Sequence, residues 1–483
     1  MSSAALPLGT SRGRARLGII AEGRWPVPLA LAVLALLAYA NALVNGFVLD
    51  DRGIVLDNPL VREPGTAWRA FVTPYWPTAI GGGQYRPLGI LSFALDSAIA
   101  GPSAIWYHAV NVAWHAAATV LLWVWVRGFL APAGALVAAA LFAVHPVHVE
   151  AVANVVGRLE LMAVAFIFAA LVAHRRGSWF APLLFACALL SKEHAVVFIP
   201  LALLTHVLEP GAVGALRARG KLWAAYAVIT VLWLGLMASI VRDAPAVTSA
   251  VFHGLTTPQR LLTVLSVIPE YVRLLLLPVQ LSADYEPGVI RPALSVLTAP
   301  VLLGAGVLVA YAWITSRAWR TNRVAAFALL AIPLALAPVS NVLFVTGVAL
   351  AERTLYLPSA FVCILGGWAV ERIGHQRAAL SVAGALIVIA AAELRTWTRT
   401  PVWRDARTFA VTLLEDHPDS YRGHWVAGRV LLAAGDVDAA QRELALARRI
   451  HAHDVALNRE AARVDSIVTA RRPVAAADTG NTQ

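Results

Sequence analysis

Apolar stretches of about twenty residues recur along the chain and constrain its fold more than any other feature, because a helix of that length crosses a bilayer. Composition agrees, since 59% of the 483 residues are hydrophobic and 14% are charged, against about 45–50% and about 25% in soluble domains. The stretches lie at 27–44, 108–126, 132–149, 158–174, 179–191, 195–208, 222–241, 293–315, 324–339, 355–371 and 378–394. We predict an all-α polytopic membrane protein with about eleven transmembrane helices, the fifth and sixth being two short spans or one broken helix.

Arginine placement predicts the orientation, because cytoplasmic loops are enriched in Arg and Lys. If residues 1–25 form a cytoplasmic tail, the inner side receives the basic clusters at Arg127, Arg175–Arg176, 217–221, 316–323 and 371–377. The net charge of +11 belongs to these loops, and we expect no nucleic-acid partner, since no basic soluble domain exists to bind one. The outer side receives the large loop 45–107 and the chain after about 395.

This orientation requires that 258–280 does not cross the membrane. The stretch contains Pro269, Glu270, Arg273 and Pro278, which favour a re-entrant or surface helix pair over a span.

The chain becomes polar after residue 396. Small and apolar residues recur there at the spacing of a tetratricopeptide hairpin, at Gly428, Leu431, Gly435, Ala440, Leu444 and Ala447. We predict a transmembrane domain at 26–396, a tetratricopeptide-like helical domain at 397–465 and a disordered tail at 466–483. A short helical docking patch is the alternative for the second segment.

Charged residues on the predicted outer side are the candidates for function, because charge at membrane depth is expensive. Asp50 and Asp51 follow the first apolar stretch directly. One carboxylate can face a reaction centre while its neighbour binds backbone, although the pair can also be a solvated helix stop. Which of the two is the base stays open.

Other polar residues of the same side divide into two groups. Cationic and phenolic side chains can bind a phosphate, and these candidates are Arg86, Arg158, Lys192, Arg353 and Tyr356. The second group is a supporting polar rim that comprises His145, His148, Glu150, Glu160, Glu193, Asp284 and Glu352.

Metal and disulfide chemistry have little support. His145, His148 and the aspartate pair can ligate a divalent cation, but no further ligand at a clear spacing completes a set. We assign no metal site and no cofactor, and a divalent cation stays an alternative. Cys187 and Cys363 both lie in apolar stretches, which excludes a disulfide framework.

The residue inventory suits sugar transfer from a lipid phosphate. No P-loop, serine elbow or zinc-helix signature occurs. An acid can act as general base, cations can stabilise a leaving phosphate, and apolar walls can hold a polyprenyl chain. Displacement at an anomeric carbon has oxocarbenium character, as in glycosidases.

Several segments in their order resemble the membrane O-mannosyltransferase family with transmembrane and tetratricopeptide-repeat regions, within the GT-C class of polytopic glycosyltransferases. The resemblance covers roughly residues 40–450. It is carried by NGFVLDDRGIVLDNP, YRPLGILSFALD, YHAVNVAWH, LFAVHPVHVEAVANVVGRLEL, LLSKEHA, LSADY, AERTLYLPS and the segment from Trp403 to Asp405.

The resemblance implies a GT-C-like bundle with Asp50 and Asp51 at the active centre, beside the acceptor hydroxyl, and with Arg353 on the donor phosphate. The implied function is transfer of a mannose-like hexose, with protein O-glycosylation as the expected outcome. Eukaryotic members of the family carry many repeats, whereas this chain has about one. The near absence of lysine, with only Lys192 and Lys221, indicates a bacterial inner-membrane enzyme with an undecaprenyl-phosphate donor.

Two other functions compete with transfer. A non-catalytic membrane scaffold would bind a periplasmic partner through 397–465 and would not need the aspartates. A transporter of lipid-linked sugar would need charges at mid-bilayer depth, and the charges here lie at the outer rim. Membrane lipids are expected partners in each case, and the acceptor can be a protein, a glycan or a lipid.

Overall fold

The apolar stretches fold as helices. The computed structural model describes residues 26–77, 82–209, 211–245 and 248–471. The first ten α-helices are α1 Pro26–Ala38, α2 Pro59–Arg62, α3 Pro87–Ala100, α4 Ala104–Val126, α5 Pro132–Ala143, α6 Val149–Ala153, α7 Arg158–Arg175, α8 Phe180–Ser191, α9 Phe198–Thr205 and α10 Ala212–Ala218. The others are α11 Gly220–Ile240, α12 Thr257–Leu276, α13 Ala299–Thr321, α14 Arg323–Leu336, α15 Tyr356–Arg399, α16 Ala406–Asp416, α17 Tyr421–Ala433, α18 Val437–Ile450 and α19 Val455–Arg471.

Short 3-10 and π-helical turns join these α-helices. A π-helical turn spans Arg52–Leu56. The 3-10 turns span Ala40–Val44, Pro64–Val72, Pro146–His148, Val155–Gly157, Glu193–Val197, His206–Leu208, Ala250–Phe252, Glu352–Leu355 and Thr400–Trp403. No strand occurs in these four described ranges, so the predicted all-α class agrees with the structure.

Among the described residues, six helices are long and apolar enough to cross a membrane, or seven if a bent pair counts as one span. They are Ala104–Val126, Val155–Arg175, Gly220–Ile240, Ala299–Thr321, Glu352–Gly374 and Arg377–Trp403, and the bent pair is Pro132–Ala143 with Pro146–Ala153. Shorter apolar helices lie at Pro26–Ala38, Phe180–Ser191, Glu193–Leu208 and Arg323–Leu336, where the sequence predicts the remaining spans. The number of eleven crossings therefore stays a prediction.

Helix α12 differs from its prediction. It is one continuous helix of 20 residues, with Pro269 inside it, and not a pair of helices. It is amphipathic and is absent from the candidate spans. A proline removes one hydrogen bond and usually kinks a helix, but α12 continues through Pro269 and packs against α13 and α15.

The helical bundle packs closely through small residues. A Cβ atom on Gly367 of α15 would lie 2.3 Å from the carbonyl oxygen of Gly134 in α5, so the two backbones touch there. Small residues at helix crossings replace the hydrophobic effect as the source of helix association in a membrane. Helix α15 is itself broken at Arg377, where φ is −144° and ψ is 61°.

The C-terminal helical domain comprises α16 to α19. Helices α17 and α18 pack as a hairpin, and a Cβ atom on Gly428 would lie 2.8 Å from Cγ of Leu444. The small residue lets the helices approach, as its spacing predicts. Residues 466–471, which the sequence assigns to the tail, belong to α19. The predicted N-terminal tail 1–25 and residues 472–483 lie outside the described residues.

Charged residues lie at both ends of the bundle. Helix α7 starts at Arg158 and ends at Arg175, a length of about 27 Å at the usual rise per residue. We call the end with Asp50, Arg86, Lys192 and Arg353 the active-site end. The end with Arg127, Arg175 and Arg219 is the arginine-rich end.

Candidate active site

The two adjacent aspartates have different environments. Asp51 is 1% exposed. Its Oδ2 accepts a hydrogen bond from the amide of Val48 at 3.0 Å, and its Oδ1 accepts one from the amide of Val156 at 2.9 Å. Burial raises the pKa of Asp51 to about 7. Both carboxylate oxygens are thus used, Oδ2 within the loop itself and Oδ1 to tie the loop to the turn that precedes α7.

Asp50 is left free by the same turn. Leu49 before it has a φ of 51°, a left-handed conformation that is strained for a residue with a side chain. The chain then enters the π-helical turn Arg52–Leu56, a geometry frequent at functional sites. Within the described ranges no group hydrogen-bonds to the half-buried Asp50 carboxylate, so its oxygens are available to a substrate.

Four cations at the active-site end are each held by an acid. Arg86 Nε lies 2.9 Å from Glu193 Oε2, Arg353 Nη1 lies 2.7 Å from Glu150 Oε1, and Arg422 Nε lies 3.1 Å from Asp284 Oδ1. Lys192 pairs with Glu160. The side chains of Glu160, Glu150 and Asp284 are at most 4% exposed. Such buried acids fix the cations in place, because moving either partner away would leave a buried charge unpaired.

Two of these pairs interact with the Asp50 carboxylate, and the other two are linked to them. Asp50 interacts electrostatically with Arg353 and with Arg422, and Lys192 interacts with Arg86 and Arg353. The hydrogen bonds in the described part of the chain use Nη1 of Arg353 and Nε of Arg86. Their other guanidinium N–H groups remain available for an anion. The cluster therefore combines one free carboxylate with several oriented cation donors.

Tyr75 and Glu193 hold Arg86 in this arrangement. The Arg86 guanidinium lies 5.1 Å from the centre of the Tyr75 ring, a cation–π contact. Glu193 Oε1 also accepts the backbone amide of Tyr85 at 3.1 Å. Burial raises the pKa of Tyr75, and the charges of Arg86 and Asp50 also act on it, so its phenol is neutral and can donate.

Glu150 and Glu352 orient the start of helix α15. Glu150 Oε2 accepts the backbone amide of Arg353 at 2.9 Å, in addition to the side-chain ion pair. Glu352 Oε1 accepts the amide of Ser282 at 2.6 Å and the hydroxyl of Tyr285 at 2.9 Å. Glu352 therefore joins α15 to the segment that carries Asp284.

Arg158 does not reach the cluster. It is fully buried, and its donors are used by Asn111 Oδ1 at 2.8 Å, the carbonyl of Tyr107 at 2.8 Å, Ser92 and Asp96. A guanidinium with every side occupied connects α3, α4 and α7 and has no face left for a donor phosphate.

Tyr356, His145 and His148 also lie inside the bundle. The hydroxyl of Tyr356 contacts His115 Nδ1 at 2.7 Å, and His148 Nε2 contacts the hydroxyl of Ser359 at 2.6 Å. His145 Nε2 lies 3.2 Å from the carbonyl of Leu275. These side chains are not brought to Asp50. No set of three or more His, Cys, Asp or Glu side chains suited to a metal was found in the described ranges.

Sequence reasoning missed Arg422 and Tyr75. Arg422 lies in the C-terminal helical domain, more than a hundred residues from its partner Asp284 along the chain. The one available signal was the acid itself, because a buried carboxylate needs a partner. Tyr75 follows no motif, and only the fold brings it to Arg86.

The long apolar helices, with a charged cluster at one end of the bundle, define the chain as a multi-pass membrane protein. No family model matches the chain. Among curated proteins, protein O-mannosyl-transferase F38B6.6 of Caenorhabditis elegans is 28% identical over 431 residues, which covers 83% of this chain and 59% of that protein. Protein O-mannosyl-transferase TMTC3 of Homo sapiens is 29% identical over 429 residues, which covers 78% of this chain and 46% of that protein.

These relatives confirm the resemblance to the transmembrane and tetratricopeptide-repeat O-mannosyltransferase family. The chain spans 59% and 46% of the length of the two relatives. Among solved structures, the crystal structure of ArnT from Cupriavidus metallidurans bound to undecaprenyl phosphate aligns with 85% of this chain and 73% of that chain, at 16% identity and a TM-score of 0.38.

Proposed function

We propose that the protein is a GT-C membrane glycosyltransferase that transfers a mannose-like hexose from a polyprenyl phosphate to an acceptor hydroxyl, as in protein O-glycosylation. The observation that carries the proposal is the free, half-buried Asp50 carboxylate among cations with unused donors. The similarity to proteins named O-mannosyl-transferases supports the same reaction.

In the proposed reaction Asp50 is the general base. It removes the proton of the acceptor hydroxyl while the acceptor oxygen forms a bond to the anomeric carbon. The bond between that carbon and the phosphate oxygen breaks, and its electron pair leaves with the polyprenyl phosphate. Asp51 has both oxygens bound to backbone amides, so its role is to shape the turn.

Arg353, Arg86 and Lys192 stabilise the leaving phosphate. Negative charge grows on the phosphate as the glycosidic bond breaks, and preorganised donors favour that state over the ground state. Each of these cations is already held by its own acid. Little reorganisation is then needed when the donor binds.

An apolar cavity gives the lipid chain a place beside the bundle. It has a volume of about 330 Å³ and lies between α12, α13 and α14. Its walls include Val264, Ile268, Leu308 and Leu336. A branched isoprenoid chain is apolar throughout, so burial in such a cavity is favourable.

The proposed sidedness places the active-site end at the outer face of a bacterial inner membrane, with the N-terminus in the cytoplasm. The arginines at the opposite end support it, because Arg and Lys are enriched in cytoplasmic loops. The donor is then an undecaprenyl-phosphate hexose, and the acceptor is a protein that reaches the outer face.

The test compares Asp50→Asn with Asp57→Asn in membranes supplied with a polyprenyl-phosphate hexose and acceptor. Loss of a general base lowers turnover by about 10²–10⁴-fold, so Asp50→Asn is expected to lose transfer while keeping its melting temperature. Asp57 follows the π-helical turn Arg52–Leu56. Its side chain is 60% exposed and pairs with Arg52, which makes Asp57→Asn the matched control. Full turnover by Asp50→Asn would exclude the assigned base.

A further inference from the structure

The C-terminal helical domain is joined to the active-site end through a buried contact. Asp284, in the segment between α12 and α13, accepts a hydrogen bond from the Ser420 hydroxyl at 3.3 Å and pairs with Arg422 at 3.1 Å. Asp284 is 6% exposed and Tyr421 is 3% exposed. The start of α17 is therefore fitted against the membrane domain.

Backbone packing fixes the distance of this contact. Gly288 has a φ of 98°, and a Cβ atom there would lie 1.7 Å from the carbonyl oxygen of Asp419. Behind it, Arg399 Nη1 of α15 lies 2.8 Å from Asp416 Oδ2 at the end of α16. The C-terminal helical domain is thus held from both sides, close to the cluster.

The Arg422 side chain lies between Asp284 of the membrane domain and Tyr421 of its own domain. Its Nε faces Asp284, and its Nη2 lies 3.4 Å from the hydroxyl of Tyr421. A guanidinium carries five N–H groups, so several have no partner in the described part of the chain. Arg422 interacts electrostatically with Asp50, and also with Arg353 as a like charge.

Two guanidinium groups that flank one carboxylate make a site for an anion. Their mutual repulsion is relieved when a group with two or more negative oxygens binds between them, as arginines do in pairs around phosphates. Asp50 supplies one negative charge to this space, and Glu150 and Asp284 are already used to hold the two arginines.

We propose that Arg422 is a further contact to the donor phosphate, so that the C-terminal helical domain completes the active site. This inference rests on the proposed function and deepens it. Docking of the C-terminal helical domain then becomes a condition for donor binding, and the domain acts within the reaction in addition to any contact with the acceptor.

The experiment uses the full-length protein in nanodiscs, with undecaprenyl phosphate alone as the binding probe and hexose transfer as the second readout. Loss of a charge-assisted hydrogen bond weakens binding by about tenfold or more, so Arg422→Ala is expected to bind the probe at least that much more weakly and to transfer less. Arg429→Ala is the control, because Arg429 lies on the same helix, is 53% exposed and pairs with Glu460.

A second variant separates contact from scaffolding. Arg422→Ala leaves Asp284 buried and unpaired, so the combined variant Arg422→Ala with Asp284→Asn removes that charge and lets the domain dock, as measured by protection from limited proteolysis. The inference predicts that a docked double variant still binds undecaprenyl phosphate weakly. Wild-type binding and transfer by the docked double variant would overturn it and leave the proposed function intact. Absence of transfer by the wild type would instead overturn the proposed function.

Discussion

The two ends of the helical bundle hold their cations in different ways. At the active-site end, Arg353 and Lys192 pair with the buried acids Glu150 and Glu160. At the arginine-rich end, Arg175 donates to the carbonyl of Trp125 at 3.2 Å and to the carbonyl of Gly128 at 2.9 Å. Arg219 at this end does pair with an acid, Glu209, at 3.2 Å, but the Glu209 side chain is 20% exposed. Backbone carbonyls exist at every helix end, whereas a buried acid must be supplied from another part of the chain.

In the proposed reaction, the cations held by buried acids serve the chemistry, and the arginine held by carbonyls serves the membrane orientation. A carbonyl-bound arginine can shift without leaving a charge unpaired, which suits a residue that only has to stay on one side of the membrane. An arginine bound to a buried acid has one position, and the acid is destabilised if it moves. Fixed donors of this second kind are needed for selective stabilisation of a transition state.

The largest contrast is expected between Arg353→Ala and Arg175→Ala. Removal of one preorganised donor lowers turnover by about 10²–10³-fold, and Arg353→Ala also leaves Glu150 buried without its ion partner. Adding Glu150→Gln is expected to restore the melting temperature but not the transfer. Arg175→Ala is expected to retain transfer within about twofold, because Arg175 is hydrogen-bonded to backbone carbonyls at the opposite end and its loss leaves no buried acid unpaired. Equal losses in the two variants would remove the distinction between the ends.

The glycines at the two ends give an intermediate contrast. In Gly288→Ala the new Cβ meets the backbone of Asp419 at a positive φ, so the C-terminal helical domain is expected to undock and transfer to be lost. In Gly128→Ala the Cβ meets Nη1 of Arg175, the end of a flexible side chain that can move. Limited proteolysis and transfer measure both, and a docked, active Gly288→Ala would show that this contact is not required.

The smallest effect is expected in the dependence of stability on pH. Burial raises the pKa of Asp51 to about 7 and of Asp284 to about 6, above the usual value of about 3.9. The folded state binds these protons more tightly, so their stabilising contribution is full below about pH 4 and is lost as pH rises through about 6 to 7. The apparent melting temperature should therefore fall over that range.

Asp51→Asn is expected to flatten this fall, and the exposed control Asp57→Asn is expected to retain it. Arg175 at the opposite end is hydrogen-bonded to the carbonyls of Trp125 and Gly128 and not to either aspartate, so Arg175→Ala should leave the slope unchanged. An unaltered slope in Asp51→Asn would show that its carboxylate is not the titrating group.

Particular residues show how far sequence reasoning reached into the site. The aspartate pair, Arg86, Lys192 and Arg353 were candidates from their place in the chain, and the structure brings them to one end. Arg158 and Tyr356 were candidates by the same argument, but their donors are used inside the bundle. The position of a residue near a predicted loop does not reveal whether its side chain joins the charged cluster or packs in the core of the bundle.

Position along the chain also gives no information about ion partners that come from another domain. Arg422 has an ordinary helical context, with Ser420 as the N-cap of α17. Nothing local marks it as a neighbour of Asp50. Pairing across that separation depends on how α17 packs against the 282–288 segment, and this is a property of the whole fold.

The all-helical membrane class and the distribution of basic clusters in the predicted loops could both be predicted from the amino-acid sequence. Both follow from local physics, because the length of an apolar stretch and the sign of the adjacent charge act within a few residues. The tertiary structure alone decided which aspartate is free. Asp51 is used by the amides of Val48 and Val156, and the second of these amides belongs to the distant turn that precedes α7, so among the described residues the Asp50 carboxylate is the one without a hydrogen bond.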